Sequence, residues 1–276
     1  MNYIFGPVPS RRLGYSLGID VIPHKTCTLD CVYCQLGKTT NRTLDRREWI
    51  QPDSILAELR QVLSVKKNID YITFSGSGEP TLNAGLGRIL SEIKKICSIP
   101  VAVITNGTLL YEKDVRNDLK EADLVVPSVD AATPRIFNRI NRPHPDLKIK
   151  NIIEGLEIFS REFRGKIWLE VMVAKGVNDT CEELERVGKV LERVRMDKVQ
   201  INTVTRPPAE AEIEPADTEI LDLAKDIFGD NAEIIGAFTR EKTVLETADM
   251  QQKIINLVSR HPDSAAQISL ALGVPA

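Results

Sequence analysis

No stretch of this 276-residue sequence reaches the ~18 consecutive apolar residues that a membrane span requires. No membrane association is therefore expected. The opening MNYIFGPVPSRR lacks the basic-then-apolar layout of a secretory signal, so a cytoplasmic protein is the expectation. Charge of one sign is not in excess: the net charge is −3, which leaves out the electrostatic footprint of a general nucleic-acid binder. Local clusters exist at Arg11 and Arg12, at Arg42, Arg46 and Arg47, and at Arg135, Arg139 and Arg142; each reads first as a solvated face. No low-complexity tract or internal repeat is present. The five cysteines are an odd number with three bunched together, which suits thiols that bind metal in a reducing compartment.

With 42% hydrophobic and 27% charged residues, the chain has the composition of a globular protein with ample core. Its pattern alternates strand and helix. Strands are predicted at 15–22, 69–75, 100–105, 123–130, 166–174 and 198–204. Helices are predicted near 52–66, 85–97, 111–121, 133–140, 148–162, 180–194 and 217–228. Six such units imply a parallel sheet, wound open or rolled up. A parallel strand covered on both faces should be nearly continuous hydrophobe. Instead Gln200 and Asn202 share one face of the sixth strand, Ser128 and Asp130 fall together on the fourth, and Glu170 interrupts the fifth. A concave polar interior follows, and the predicted fold is α/β, a partial (β/α)6 TIM-type barrel. The expected organisation is an N-terminal strap over 1–14, the barrel over 15–240 and a small C-terminal helical extension over 241–276.

The segment KTCTLDCVYCQLG places Cys27, Cys31 and Cys34 at C-x3-C-x2-C after the first strand. Thiolates at such spacing bind zinc or an iron–sulfur cluster. Three cysteines leave one iron of a [4Fe–4S] cubane without a protein ligand; alternatively His24 would complete a Cys3His zinc site. After the second strand comes TFSGSGEPTLN, where Gly76 and Gly78 let the backbone turn sharply and approach a ligand. Glu79 and nearby carbonyls offer acceptors to an ammonium group. In a β/α barrel both loops lie at the carboxyl end of the strands, where ligands bind.

Together these residues resemble the radical S-adenosylmethionine superfamily, whose signature is CxxxCxxC after strand one and GGEP after strand two. The resemblance runs from about Tyr15 to Arg206, with Ser77 standing at the first glycine of GGEP. It implies that Cys27, Cys31 and Cys34 ligate three irons of a [4Fe–4S] cluster and that S-adenosylmethionine chelates the fourth. It implies further that Tyr33 packs on the adenine, that Ser77, Gly78 and Glu79 hold the methionine ammonium, and that Ser128 and Asp130 contact carboxylate and ribose. Asn106 matches a polar position lining the site, and Gln200 and Asn202 lie where strand six reaches the adenine. The implied activity is oxidoreductase chemistry: reductive cleavage to a 5′-deoxyadenosyl radical that abstracts hydrogen from a substrate, with an electron donor such as flavodoxin or ferredoxin.

Four segments, FGPVPSRRLGYSLGID, SGSGEPTL, NRPH and NTVTRPPAE, resemble a subgroup of iron–sulfur oxidoreductases related to wyosine synthases, which remodel a methylguanosine in transfer RNA. An anionic substrate such as a nucleoside or RNA is the expectation, met by Arg11, Arg12, Arg142, His144 and Arg206, with Glu170 on the concave face. Two other readings stand beside it: radical activation or modification of a protein or peptide partner, and a non-catalytic, metal-stabilised binding protein.

Overall fold

The computed structural model describes residues 3–66, 68–235 and 265. The chain begins with a hairpin, β1 (Ile4–Ser10) and β2 (Gly14–Ile19), followed by a two-residue pair, β3 (Thr26–Cys27) and β4 (Asn41–Arg42). Then come α1 (Pro52–Val65), β5 (Tyr71–Phe74), α2 (Leu86–Ile96), β6 (Val101–Thr105), α3 (Lys113–Asp118) and β7 (Leu124–Pro127). The second half holds α4 (Pro134–Ile140), α5 (Ile149–Glu162), β8 (Lys166–Val173), α6 (Cys181–Leu191), β9 (Lys198–Thr203), α7 (Thr218–Phe228) and β10 (Ala232–Ile234).

Eight strands form one sheet in the order β1-β2-β5-β6-β7-β8-β9-β10. Every neighbouring pair is parallel except the β1–β2 hairpin. The six strands predicted from the sequence are β2 and β5 to β9, and their linear order is that of a partial barrel with β1 and β10 as its edges. Residues 4–10, expected as a strap, are thus a strand of the sheet. Pro7 and Pro9 suit such an edge, because a proline can donate nothing to a further strand. Phe5 pairs with Gly18, and a Cβ on Gly18 would stand 2.0 Å from the Phe5 ring, so the hairpin closes only over a glycine. The expected C-terminal extension, 241–276, lies outside the described residues apart from Ala265.

The period-two alternation of each strand divides the sheet into two environments. Leu17, Ile72, Val103, Val125, Leu169 and Ile201 face the helices and share one core with Leu59, Ile89, Leu156 and Val187. The helices present matching stripes. In α2, Leu86, Ile89, Leu90 and Ile93 follow the i, i+3, i+4, i+7 rule, with Lys94 and Lys95 in the last turn, where the helix dipole favours cations. Helix α6 is capped by Thr180, whose hydroxyl accepts from Glu183 N at 3.3 Å. The Glu183 carboxylate in turn accepts from Ala132 N at 3.0 Å, tying α6 to the loop after β7. The other face of the sheet carries Ser16, Thr73, Glu170, Gln200 and Asn202, all buried or half-buried, above an apolar floor of Leu13, Ala102, Leu124 and Val126. Among the described residues no helix is long and apolar enough to cross a membrane.

Candidate functional site

The cysteine loop leaves the carboxyl end of β2 and is fastened along its length by backbone bonds. Asp30 N donates to Asn141 O (3.0 Å), Val32 N to Ile140 O (2.9 Å) and His144 N to Thr28 O (2.9 Å), which clamps it to the segment following α4. Thr43 N donates to Cys27 O (3.0 Å) and Gly37 N to Cys34 O (3.0 Å), so the chain folds back under its own thiols. A loop of this length keeps a defined shape only when its peptide groups are satisfied in this way.

The glycine turn after β5 is joined to that loop. Lys25 N donates to Ser77 O (2.6 Å) and Glu79 N to Thr26 O (3.1 Å), and Thr26 and Gly78 form a parallel bridge. Asp20, at the end of β2, accepts from Ser77 N at 2.8 Å. Gly76 has φ +119°, a conformation L side chains rarely adopt, and a Cβ there would stand 2.4 Å from Asp20 Oδ1. Gly78 is required for contact: a Cβ would lie 1.9 Å from Thr26 O. Ser77 is not among the residues with positive φ, which is why serine is admissible where the resembling signature has glycine. Replacing Gly78 with Ala is expected to drive the two loops apart. S-adenosylmethionine binding should then weaken by on the order of tenfold or more, with iron lost on desalting. Unchanged affinity and iron content would show that the close approach is dispensable.

Glu79 is buried and turned inward. Its Oε1 accepts from Thr81 N (3.0 Å), Thr81 Oγ1 (2.7 Å) and Thr105 Oγ1 (2.6 Å), and its Oε2 from Asn106 N (2.7 Å). Burial still raises its pKa above the usual carboxylate value against those four donors. The side chain binds the ends of β5 and β6 together. Asn106 extends the network: its Nδ2 donates to Thr28 Oγ1 (2.8 Å) and approaches Cys27 Sγ (3.5 Å), while its Oδ1 accepts from Thr108 N (3.0 Å).

Asp130, beyond the end of β7, accepts from the Tyr33 hydroxyl, from Asn141 Nδ2 (2.7 Å) and from Met172 N (3.0 Å). Burial pushes its carboxyl up to about 6, and the hydrogen bonds hold it from rising further. The same burial, with Asp130 beside it, raises the Tyr33 hydroxyl well above its ordinary value. Asn141 reaches Cys31 Sγ at 3.4 Å as well, joining thiol loop and Asp130. A cleft lined by Leu29, Asn106, Ser128, Asp130, Asn141 and Ile152 opens beside these thiols. It unites three sequence candidates, Asn106, Ser128 and Asp130, with one that was missed. Asn141 stands in the NRPH segment at the end of α4, and an asparagine at a helix C-cap gives no sign of a ligand role.

Gln200 and Asn202 sit elsewhere. Gln200 lies in mid-strand, in register with Glu170 of β8 and Glu233 of β10. Its Nε2 donates to Glu233 (3.0 Å), and its Oε1 is buried with no partner among the described residues. Asn202 Nδ2 approaches Glu170 Oε1 at 3.4 Å. Glu170 forms an ion pair with Arg12, with side-chain exposures of 12% and 15%. Burial would raise its pKa, and the Arg12 guanidinium more than offsets that and holds it below the usual range. Arg11 donates to Thr205 Oγ1 (3.1 Å) and Arg206 to Gln35 Oε1 (2.6 Å). The hairpin turn therefore carries Arg11 and Arg12 to the β8–β9 side, where Arg206 stands. Arg142 is farther out, paired with Glu210.

The thiols can be tested against a metal group. Burial pushes Cys27 up to about 12, with Glu79 adding to it, and pushes Cys31 well above its usual value, with Asp130 adding to it. Cys34 is also raised by burial. Such thiols become thiolates only beside a strong cationic centre, and the Asn106 and Asn141 amides stand ready to donate to two of the sulfurs. Among the described residues no three His, Cys, Asp or Glu side chains converge as ligands of one ion. Three thiols on one short loop, with amide donors beside two of the sulfurs, are a donor set that fits a cluster.

Residues 21–188, more than half of the chain, match the family model of the Radical SAM superfamily, and the chain belongs to that superfamily. It is accordingly a radical SAM enzyme whose cofactors are a [4Fe–4S] cluster and S-adenosylmethionine, and whose chemistry needs a reductant. Over 269 residues it is 38% identical to a UPF0026 protein of Methanocaldococcus jannaschii, covering 95% of this chain and 83% of that one, so within the superfamily it is a member of the UPF0026 family. A protein of Brachyspira hyodysenteriae named GTPase Obg is 42% identical over 271 residues, 97% of this chain, but this chain spans only 40% of its length. The Gly-Lys-Thr at 37–39 has Val32 where a phosphate-binding loop needs its first glycine, so the matched stretch brings no GTPase motif. In fold the chain is similar to TYW1, solved with a lysine–pyruvate adduct, at TM-score 0.58 and 17% identity, covering 81% of this chain and 75% of that one.

Proposed function

We propose that this enzyme abstracts hydrogen from an anionic substrate, a nucleoside or RNA, admitted to the polar interior of the partial barrel. When bound, the cluster and S-adenosylmethionine supply a 5′-deoxyadenosyl radical by one-electron reductive cleavage. The chain's own residues do the rest. Cys27, Cys31 and Cys34 hold the cluster, and Asn106 and Asn141 steady two of the sulfurs by N–H donation. The backbone of Ser77 and Gly78 receives the methionine ammonium on its carbonyls. Ser128 and Asp130 line the cleft that takes the nucleoside end, and Tyr33 is one of the three donors that fix Asp130. Water is kept from the radical by the apolar wall of Leu29, Phe137 and Ile152.

The observation that carries the substrate reading is the placing of Arg12 against Glu170 of β8 and of Arg11 against Thr205, the neighbour of Arg206 in the segment after β9. A guanidinium suits phosphate or carboxylate because its planar fork donates two hydrogen bonds at once. The wyosine-related segments support a nucleoside over a peptide. The cytoplasm supplies both the substrate and the reductant in this reading. The test is anaerobic turnover with dithionite, S-adenosylmethionine and fully deuterated cell fractions, reading deuterium in 5′-deoxyadenosine. Label is expected from the transfer-RNA and nucleotide fraction. Label from the peptide fraction alone would replace this reading with modification of a protein partner.

A further inference from the structure

The three thiols are not served alike. The N–H groups of Leu29 and Thr28 favour the Cys27 thiolate, and that of Leu36 favours the Cys34 thiolate. At Cys31 the donor is a side chain, the Asn141 amide, whose Nδ2 stands 3.4 Å from the sulfur. The same nitrogen donates to Asp130 Oδ2 at 2.7 Å. A primary amide carries two hydrogens on one planar nitrogen, so an acceptor that fixes one of them aims the other. Asp130 is itself held, by Met172 N at 3.0 Å and by the Tyr33 hydroxyl, and Asn141 is only 3% exposed. Water has little access to either hydrogen, and a donor in such surroundings acts on its acceptor more strongly than in water.

The backbone of Asn141 already fastens the loop without help from this side chain. Asn141 O accepts from Asp30 N at 3.0 Å, and Asn141 N donates to Phe137 O at 2.9 Å. Its φ of −99° is one that any residue adopts, so both bonds outlast a change of side chain. What the amide adds is a dipole aimed at one sulfur.

We infer that Asn141 is a positioning residue for electron acceptance: held by Asp130, its amide donates to the Cys31 sulfur and raises the reduction potential of the cluster. Reduction takes one electron from the reductant and adds one negative charge to the cluster and its sulfurs; no proton or group moves. An N–H aimed at a sulfur favours the more negative state, and hydrogen bonds of this kind are among the features that set cluster potentials. Asn106 is less suited to the role. It stands 3.5 Å from Cys27 Sγ, where two backbone N–H groups already act, and its amide holds Thr28 and Thr108. The inference rests on the superfamily assignment and is independent of the substrate reading.

The experiment is a dithionite redox titration of the anaerobic, cluster-loaded protein without S-adenosylmethionine, followed by the electron paramagnetic resonance of the reduced cluster. Iron content and Tm are measured beside it. Asn141→Leu removes both hydrogens at similar volume. Asn141→Ser keeps a polar group, but a hydroxyl has one hydrogen and cannot serve carboxylate and sulfur together. Both variants are expected to keep about four irons per chain. In both, the ratio of reduced to oxidised cluster at a fixed potential is expected to fall about tenfold, a midpoint lower by about 59 mV for one electron. An unchanged midpoint in whichever variant keeps its iron would overturn the inference. Loss of iron from both would overturn it as well, since the side chain would then be a fastener of the loop.

Discussion

Replacing any one of Cys27, Cys31 or Cys34 with Ala is expected to abolish both the cluster and the reductive cleavage of S-adenosylmethionine. Anaerobically purified protein should carry about four irons per chain, and each variant close to none. The expectation follows from how the loop is held. Its peptide groups are fixed by Ile140, Asn141 and the 37–43 return, so no other side chain can swing in to substitute for a missing sulfur. The two remaining cysteines make the control. Cys97 caps the end of α2 and packs beside the helix-side core, and Cys181 is exposed at the start of α6. Cys97→Ala and Cys181→Ala should keep iron and cleavage nearly intact. One tightly held zinc per chain, with no uptake of iron on reconstitution, would contradict the cluster.

Breaking the ion pair between Arg12 and Glu170 should have the largest effect on stability. Arg12→Met strands a carboxylate in the interior, where an uncompensated charge costs about 3–5 kcal/mol, on the order of 10 °C in Tm for a chain of this size. Arg12→Met/Glu170→Met should recover most of the loss, because two apolar side chains of similar length remove both charges at once. The pH dependence has a definite sign. The folded pKa of Glu170 is depressed by Arg12, so its contribution is complete above the unfolded carboxylate value and is lost as pH falls through the folded one. The advantage of the unmodified protein over the Arg12→Met variant should therefore begin to shrink as pH falls through the burial-raised value of the stranded carboxyl, and be gone below the depressed value of the paired one. A second readout separates fold from function: the double variant should stay stable and cleave S-adenosylmethionine while failing to transfer hydrogen from substrate. A double variant as unstable as Arg12→Met alone would show that the pair is held for packing and not for charge.

The barrel strands were legible because each has a strictly alternating, helix-facing half. Leu17 and Ile19, or Leu169 and Val171, announce a strand whatever lies on the other side. Strand β1 was not legible. FGPVPS has two prolines and no alternation, and it becomes a strand only because Gly18 makes room for Phe5 on a neighbour fourteen residues or fewer away. The thiols and the glycine turn were plain as spacing, since ligand chemistry demands those residue types. The environment of each polar side chain was not. Glu79 reads in the sequence as a ligand for an ammonium, yet Thr81, Thr105 and Asn106 surround it, and their convergence depends on the register of β5 with β6. Arg12 reads as a free cation, and only the curvature of the sheet brings Glu170 to it.

The bridge between Thr26 and Gly78 bears on how freely this part of the chain can drift over evolutionary time. The two loops meet through peptide groups, and the Asp20 and Glu79 side chains fasten them. Position 76 is fixed by a positive φ and position 78 by the Thr26 carbonyl, which would stand 1.9 Å from any Cβ there, whereas position 77 has no positive φ. A lineage can therefore exchange glycine for serine at 77 and keep the cofactor, as this one does relative to the signature it resembles. The same lineage cannot exchange 78 without giving up the loop that carries the metal. Two adjacent letters of one motif thus evolve under different rules, and it is the quieter one that cannot move.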